Sequence, residues 1–436
     1  MSDQTSRLLI VSPHFPPSNT ADSQRVRMLL PFFTELGWEP TVLAVNPDQV
    51  ASPRDAWLEQ GLPDDVEIIR VQALGLGWSW LPGLGTLDYR AVGALRHAGN
   101  ALLSNRKFEL VYFSTTVFSV HVLGPYWKSK FGIPFVMDFQ DPWVSDYYKK
   151  HKEIHPPGGR IKYSLSQWLA RKQERRVLND CAGITAVSTK YPNQLYKRYS
   201  SLKKLPALVL PFPGSRRDME RIKQQPVIDT GISFSSNYIN WLYIGRGGQD
   251  MKRAVSALFL ALENWRRIDP VIAGKVRLYF IGTSYAAPGQ GEESILPVAA
   301  TYNMQKQVVE QTDRIPYSIM LTLLKQADAL IVPGSNDSAY TASKIYPYLL
   351  AQKPLLAIFH EESSVVDLIK KAGGGAVVSF TNDDGIETIA ERICTDWLYS
   401  GQYQQPLLNN EVFEPYTDHG SAKQLCGFLH RVMNDR

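Results

Sequence analysis

The sequence predicts an α/β protein made of two Rossmann-like, doubly wound domains of similar size. Three observations lead to this prediction. Short apolar runs typical of buried strands alternate with helical segments through most of the 436 residues. A segment rich in proline and arginine, Ala207–Asp218, interrupts the alternation, which then resumes. The length itself favours two or three domains.

In the first domain, predicted over residues 1–213, strands and helices follow one another closely. The first strand leads into a helix at 23–37, whose apolar residues recur at helical spacing. Further apolar runs of strand length follow. We predict strands at 8–13, 39–45, 64–71, 110–115, 134–139 and 183–188. The segment Ala207–Asp218 is then the linker.

The second domain, predicted over residues 214–412, repeats the pattern. We predict strands at 239–245, 276–282, 329–334, 355–359 and 374–380, and helices at 252–267, 318–327 and 386–400. A last helix at 421–433 lies in the segment 413–436, which we expect to pack back on the first domain. Folds of this kind bind ligands beyond the carboxyl ends of their strands, and two domains provide a cleft for a polar ligand.

Composition and charge are those of an ordinary globular protein. Hydrophobic residues make up 44% and charged residues 20% of the chain, which excludes a disordered or collagen-like protein. The net charge of +5 suits an anionic ligand or an acidic membrane surface, but it is too small to indicate a nucleic-acid partner. The 3 cysteines lie far apart and offer neither a disulfide framework nor zinc-ligand spacing, so we expect a reducing compartment.

Two apolar stretches bear on membrane insertion. The run at the N-terminus is short and leads into a proline-rich turn, so we expect no signal peptide. Leu110–Trp127 carries no charged residue and approaches the length of a membrane span. Serine, threonine, histidine and proline residues interrupt it, and we interpret it as a buried strand followed by a helix.

The segment Thr341–Ile358 predicts a helix, a tight turn and a buried strand. Ser343 or Thr341 can cap the helix, and Pro347 is tolerated only if it lies in the first turn, where no helical N–H bond is lost. The free N–H groups of a helix start suit a phosphate. The alternative is an ordinary helical connection between two strands.

A second phosphate-binding candidate follows the strand that ends at Gly245. Arg246 and Lys252 come next, with two further glycines between them, and flexible glycines allow two cations to converge on one diphosphate. The order of residues matches neither the dinucleotide-binding fingerprint nor the Walker lysine pattern. Alternatively, Lys252 is a solvated helix residue.

Carboxylates and aromatic rings follow a strand end in the first domain. Asp138 and Asp141 can bind sugar hydroxyls or act as bases, and Trp143 can stack on a sugar ring. Alternatively, the two aspartates cap the next helix. The nearby HKEIH sequence, His151–His155, departs from the zinc-binding helix motif, and prolines follow it at once, so we predict no metal site.

The loop after the first strand is another ligand candidate. It is long for a strand–helix connection, and the alternative is an ordinary loop without a ligand. The residues in question are Pro17, Ser18, Asn19, Thr20 and Arg25.

Two segments suggest contact with a membrane surface. Trp78 and Trp80 lie in a glycine-rich loop, and the segment Arg160–Arg176 combines basic residues with an apolar stripe. Alternatively, the tryptophans cover the core and the basic face is solvated. The first interpretation places the protein on the inner face of the cell membrane as a peripheral protein.

Taken in order, these segments resemble the family 4 glycosyltransferases of the GT-B fold, of the type associated with bacterial surface polysaccharides. The resemblance rests on HFPPSNTADSQR near the N-terminus, GIPFVMDFQDPW before the linker, YIGRGGQDMK after it, and ADALIVPGSNDSAYTASKIYPYLLAQKPLLAI. It implies transfer of a sugar from a UDP- or GDP-linked donor to a lipid-linked or saccharide acceptor, in polysaccharide or glycolipid synthesis. It further implies retention of the anomeric configuration, with neither metal nor cofactor.

The resemblance also assigns residues to roles. Catalytic roles fall to Arg246, Lys252, Asp138 and Asp141. Acceptor-side roles fall to Pro17, Ser18, Asn19, Thr20, Arg25 and Trp143. Donor binding falls to Gly245, Pro316, Tyr317, Asn336, Asp337, Ser343, Lys344 and Tyr346.

The chain departs from the family pattern at three positions. Ala339 and Pro347 stand where the family often has two glutamates, and Asp337 would take over the ribose contact. Gln140 stands where a histidine is often found. Two alternatives to a transferase therefore stay open: a nucleotide-sugar epimerase of similar fold, and a non-catalytic protein that binds a nucleotide sugar or acts as a scaffold.

Overall fold

The computed structural model describes residues 5–78, 85–145, 159–202, 204–225, 228–337, 343–399 and 406–435, apart from the side chains of residues 161 and 162. The chain divides into two compact units. Unit 1 comprises Met1–Phe212 and His419–Arg436, and unit 2 comprises Pro213–Asp418. The division lies one residue before the predicted border, and the C-terminal segment joins unit 1 at His419 rather than at residue 413.

The described part of unit 1 contains a parallel sheet of seven strands in the order β3-β2-β1-β4-β5-β6-β7. Its strands are β1 (Ser6–Val11), β2 (Trp38–Val45), β3 (Glu67–Val71), β4 (Leu110–Ser114), β5 (Phe135–Phe139), β6 (Gly183–Ala186) and β7 (Ala207–Val209). The strand order reverses between β1 and β4, which pair with each other directly. A crevice at such a reversal is where sheets of this type bind ligands.

The described part of unit 2 contains a second parallel sheet, of six strands in the order β10-β9-β8-β11-β12-β13. Its strands are β8 (Ile239–Ile244), β9 (Val276–Ile281), β10 (Val308–Gln311), β11 (Ala329–Pro333), β12 (Leu355–His360) and β13 (Ala376–Phe380). Here the order reverses between β8 and β11, which are neighbours. The α/β fold of two Rossmann-like domains that the sequence predicts is confirmed.

The α-helices cover both faces of the sheets. In chain order they are α1 (Ala21–Leu29), α2 (Leu87–Asn105), α3 (Leu123–Phe131), α4 (Gly159–Asp180), α5 (Lys190–Arg198), α6 (Arg216–Gln224), α7 (Lys252–Ile268), α8 (Pro270–Lys275), α9 (Leu296–Thr301), α10 (Tyr317–Gln326), α11 (Ile345–Ala351), α12 (Ser364–Ala372), α13 (Ile386–Ile393), α14 (Asn410–Phe413) and α15 (Asp418–Asn434). In the described residues, no helix is both long and apolar enough to cross a membrane.

Two sequence predictions of secondary structure were wrong in part, and a third was confirmed. The helix predicted at 23–37 ends at Leu29, because Pro31 forces a 3₁₀ turn at Leu30–Phe32. The predicted linker contains β7 and the start of α6, since β7 pairs with β6 as an edge strand. The segment Leu110–Trp127 forms β4, a 3₁₀ turn and the start of α3, as its polar residues suggested.

The last helix packs on unit 1. The Trp38 side chain is fully buried, its Nε1 donates to the carbonyl of Cys426 over 3.4 Å, and its ring stacks on His430 at 4.5 Å. Phe428 and Leu429 of α15 are buried in the same core as β1 and β2. The helix α15 therefore closes one face of the first sheet.

Candidate functional site

A group of cations lies at the strand-order reversal of unit 2. Arg246 follows β8 at its carboxyl end, and Lys344 precedes α11. The positive charges of Arg314 and Arg246 both act on the Lys344 ammonium. We call Arg246, Arg314 and Lys344, together with Gly245, the diphosphate cluster.

Lys344 is the most perturbed member of the cluster. Burial, followed by the charges of Arg314 and Arg246, lowers the pKa of its amine to about 8. Three like charges held together raise the energy of the unliganded protein. An anion placed among them would remove this repulsion, so the cluster is suited to bind a group with at least two negative charges.

Gly245 allows the lysine to approach the strand end. A Cβ on this glycine would lie 2.6 Å from the Lys344 Nζ and 2.5 Å from the Tyr243 hydroxyl, closer than real side chains come. The Tyr243 hydroxyl donates to the carbonyl of Arg246 over 2.9 Å, which fixes the turn after β8. A side chain at position 245 would therefore displace the ammonium from the cluster.

Arg246 already has a carboxylate partner within the same loop. Its guanidinium donates to both carboxyl oxygens of Asp250, over 2.8 and 2.7 Å. This contact lowers the pKa of Asp250. The pair orients the planar guanidinium, a group whose geometry suits bidentate contact with a phosphate.

Sequence reasoning missed Arg314. It lies between β10 and α10, is exposed, and its guanidinium carbon stands 5.4 Å from the ring centroid of Tyr285. Nothing in its local sequence marks it, since an arginine in a polar loop is unremarkable. Lys252, which the sequence favoured, is exposed at the first residue of α7 and is not among the charges that lower the pKa of Lys344.

Other predicted donor residues are only partly brought together. Asn336 and Asp337 follow β11; the Asn336 N–H donates to the carbonyl of Asp250 over 2.8 Å, and the Asp337 side chain is exposed. Pro316 caps α10 and Tyr317 begins it. These positions border the strand ends, and their donor contacts stay predictions.

Two predictions about the start of α11 were wrong. The cap residue is Lys344, and no side chain caps the helix, so Ser343 does not have that role. The Tyr346 side chain is buried, and its ring stacks on Tyr416 at 5.5 Å and packs on Phe413. It belongs to the core of unit 2 and is not available to a donor. Thr341 lies outside the described residues.

A histidine–aspartate pair, also missed from the sequence, lies at the strand-order reversal of unit 1. The Nδ1 of His14, which follows β1, is 2.8 Å from Asp22 Oδ2. The same carboxyl oxygen accepts the N–H and the hydroxyl of Thr116, both over 3.1 Å, at the end of β4. With Nδ1 facing the carboxylate, Nε2 is the ring nitrogen left to accept a proton or a hydroxyl.

The charges of the His14–Asp22 pair are mutually stabilised. Burial raises the pKa of Asp22, but His14 and the hydrogen bonds outweigh it and bring the value down to about 2. Burial lowers the pKa of His14, yet Asp22 and the more distant Asp88 leave it above the ordinary value. Partial desolvation and the charge of Asp22 raise the pKa of Asp141, which lies close by. The predicted Asp141 thus lies near a histidine that the sequence did not reveal.

The structure contradicts the predicted roles of Asp138 and Arg25. Both side chains are fully buried and form an ion pair of 3.0 Å. Asp138 also accepts from Thr185, Gln140 and Ser114 over 2.7 to 3.1 Å. The Arg25 guanidinium donates to the carbonyls of residues 210 and 211. A carboxylate with so many donors holds the sheet together and has no surface for a substrate.

Two acceptor-side predictions fail because the side chains are buried. Trp143 is 8% exposed and lies parallel to Phe118 at 5.7 Å within the unit 1 core. Ser18 is 1% exposed and forms a short antiparallel bridge with Arg54. Pro17, Asn19 and Thr20 are half-buried, and their role stays a prediction.

The predictions about metal and membrane contact both stay predictions. Among the residues that the structure covers, no group of three or more histidine, cysteine or acidic side chains is arranged to hold a metal ion. The HKEIH sequence and Trp80 lie outside the described residues. Trp78 is 53% exposed.

No protein-family model matches the sequence, and no curated protein matches it closely enough to count as a relative. Solved structures are similar along the whole chain. HepE of Anabaena, solved in complex with UDP, has a TM-score of 0.52 at 14% identity, over 99% of this chain and 97% of that one. The UDP-forming trehalose-phosphate synthase of Burkholderia xenovorans has 0.54 at 11%, over 98% and 99%. The N-terminal domain of the Candida albicans trehalose-6-phosphate phosphatase has 0.60 at 14%, over 98% and 97%.

The chain has the GT-B fold. At such low identity the likeness concerns the fold alone, and the chemistry must be argued from the residues. Within the GT-B chain, both clusters lie at the positions where ligand crevices form in doubly wound sheets: the diphosphate cluster at β8 and β11, and the His14–Asp22 pair at β1 and β4.

Proposed function

We propose that the protein is a glycosyltransferase that moves a sugar from a nucleotide-sugar donor to a lipid-linked or saccharide acceptor. The diphosphate cluster carries this proposal. Lys344 Nζ lies against Gly245 at the strand-order reversal of unit 2, and burial, together with the charges of Arg314 and Arg246, lowers its pKa to about 8. A nucleoside diphosphate carries the negative charge that would neutralise these cations.

The proposed chemistry is a substitution at the anomeric carbon. The bond from this carbon to the β-phosphate oxygen breaks, and its electron pair stays on the diphosphate. Arg246, Arg314 and Lys344 stabilise the negative charge that develops there, which replaces the usual need for a divalent metal. The acceptor oxygen forms the new bond on the face that the diphosphate leaves, and its proton passes to the leaving phosphate oxygen. Attack on this face retains the anomeric configuration.

Unit 1 supplies the proposed acceptor contacts. His14 Nε2 accepts a hydrogen bond from the attacking hydroxyl, and Asp22 holds the ring in the tautomer that leaves Nε2 unprotonated. Asp141, with its raised pKa, is the second candidate contact. Neither residue is a donor contact, so their substitution should lower transfer more than nucleotide binding.

The same proposal includes three further points: membership of family 4, a role in surface polysaccharide or glycolipid synthesis, and a place on the cytoplasmic side of the membrane. The sequence resemblance supports the first two. The three free, buried cysteines agree with a reducing compartment.

The test is incubation of the whole protein with a panel of UDP- and GDP-sugars and a bacterial membrane extract. Mass spectrometry of the products separates the possibilities: a glycosylated acceptor supports the proposal, a changed sugar without an acceptor indicates an epimerase, and unchanged donor with measurable nucleotide binding indicates a binding protein. Proton NMR of the product gives the anomeric configuration. An inverted product would mean that His14 acts as a base rather than as a hydrogen-bond partner.

A further inference from the structure

The outer face of α4 carries three large apolar side chains in water. Leu165 and Trp168 are each 58% exposed, and Leu169 is 42% exposed. They are spaced three and four residues apart, so they form one ridge along the helix. Exposed apolar residues are common singly, but adjacent ones on one ridge mark a surface that another apolar phase covers.

The same face continues as a cationic surface toward the end of the helix. Lys172, Arg175 and Arg176 are exposed, and at 100° per residue they fall with the apolar ridge inside an arc of about 120°. The Lys172 Nζ stands 5.6 Å from the centroid of the Trp168 ring, which joins the two halves. We call these six residues the α4 stripe: Leu165, Trp168, Leu169, Lys172, Arg175 and Arg176.

The stripe carries an excess of positive charge among the described residues. Glu174, one of two acidic residues of α4, points inward: its side chain is 1% exposed, pairs with Arg198 over 2.7 Å and accepts from Tyr199. Lys172, Arg175 and Arg176 have no ion-pair partner in the described part of the chain. A shallow depression along the basic half has room for an anionic headgroup, since its lining holds four cations against one carboxylate. The lining residues are Trp168, Arg171, Lys172, Arg175, Arg176, Asn179, Asp180 and Tyr199.

We propose that the α4 stripe docks the protein on an anionic lipid bilayer, with the apolar ridge in the interfacial layer and the basic half on the lipid phosphates. A tryptophan beside leucines suits the boundary between headgroups and acyl chains, and arginine and lysine suit the phosphates. A second copy of this chain would fit the stripe less well than a lipid bilayer does. Two-fold pairing of the stripe would bring six cations together beside only two carboxylates, one Asp180 from each copy.

A second exposed apolar group lies on the same unit. Leu74, Leu76 and Trp78, in the loop before α2, are 46%, 41% and 53% exposed. The 3₁₀ turn Phe118–Val122 packs against both α2 and α4. This loop can add apolar contact to a membrane-bound state, but the stripe alone combines the apolar and the basic features that select anionic lipid.

Vesicle flotation of the whole protein tests the inference without any donor or acceptor, so its outcome is independent of the proposed transferase activity. The probes are phosphatidylcholine vesicles with and without phosphatidylglycerol. Wild type should float with the anionic vesicles, remain at the bottom with the neutral ones, and be released by salt at about 0.5 M, where the screening length is only a few ångströms.

Paired substitutions separate the two halves of the stripe. Lys172→Glu with Arg175→Glu should lower partitioning to anionic vesicles by at least about 25-fold, since each basic residue contributes about fivefold. Its control, Lys370→Glu with Lys371→Glu on the exposed end of α12 in unit 2, makes the same change in net charge and should retain most of the binding.

Leu165→Ser with Trp168→Ser should lower partitioning at least about tenfold. Its control is Ile268→Ser with Val271→Ser, two side chains that are 67% and 68% exposed in unit 2. Melting temperatures of all four variants should stay near that of wild type. The inference is overturned if wild type ignores anionic vesicles, if a control loses as much binding as its stripe variant, or if the stripe variants abolish self-association instead of lipid binding.

Discussion

The pKa of Lys344 gives a quantitative test of the diphosphate cluster. Burial and the charges of Arg314 and Arg246 lower this pKa from the ordinary 10.5 to about 8 in the unliganded protein. A bound diphosphate brings negative charge against the ammonium and should restore a pKa close to the ordinary value. Binding should therefore take up protons wherever the free amine is partly neutral.

The expected uptake follows from the two pKa values. At pH 8 about half of the free amines are neutral, so UDP binding should take up about 0.5 proton per site. The uptake should fall to about 0.1 at pH 7 and rise to about 0.9 at pH 9. Over the same range, from pH 8 upward, the affinity for UDP should weaken by up to about tenfold per pH unit.

Calorimetric titration of UDP in buffers of different ionisation enthalpy measures the uptake directly. The informative range is pH 8 to 9, where the phosphates of UDP itself are fully ionised. Lys344→Met should abolish the uptake, and Lys252→Met should leave it unchanged. The reasoning fails if wild type takes up no protons in this range, or if the Lys344→Met variant takes up as many.

Four further outcomes are expected. Lys344→Met should raise the free energy of unfolding at pH 7 by about 1–3 kcal/mol in denaturant titrations. Because the pKa of Lys344 is lower in the folded protein than in the unfolded chain, the stability gain of the variant should vanish as the pH rises from 8 to 10.5. Arg314→Ala should weaken UDP binding by about tenfold (about 1.5 kcal/mol), against less than about threefold for Lys252→Ala. His14→Gln should destabilise the protein most between pH 3.8 and 6.5, where both members of the ion pair are charged. The destabilisation should shrink as the pH rises through the elevated pKa of His14, and also as the pH falls toward the Asp22 pKa of about 2. An effect that does not change across this range would contradict the ion pair. Transfer should persist in excess chelator, and activity restored only by magnesium or manganese would refute metal independence.

Some of these tests depend on one another. If Arg314→Ala leaves UDP binding intact while Lys252→Ala abolishes it, the sequence-based pairing of Arg246 with Lys252 is the better description of the cluster. Gly245→Ala offers an independent check, because its methyl group would occupy the place of the Lys344 ammonium. It should reproduce the loss of proton uptake without removing any charge.

The sequence by itself determined the two-domain α/β architecture. Strand and helix signals are local: β8, β9, β11 and β12 are nearly continuous apolar runs, and α7 repeats its apolar residues at helical spacing. The strands that sequence reasoning missed or misplaced, β7 and β10, are short and lie at the edges of their sheets. Such strands are defined by pairing with a neighbour rather than by their own hydrophobicity.

The sequence also located three of the four members of the diphosphate cluster. Gly245 and Arg246 could be found because they follow a recognisable strand, and Lys344 because it precedes a helix with a proline in its first turn. The end of a strand is a local signal as well, so these positions were accessible without a structure.

Only the tertiary structure decided which polar groups meet. Asp138 and His14 both lie at the ends of apolar strands, but their surroundings differ. Arg25 and three further donors surround Asp138. His14 contacts a single buried carboxylate through Nδ1 and keeps its other ring nitrogen for a ligand. Arg314 follows β10, and β10 lies in the sheet on the β8 side because β9 pairs with both strands. No local sequence pattern specifies this strand order. Desolvation and charge depend on neighbours distant in sequence, so the chemistry of a side chain is fixed only when the fold brings those neighbours to it.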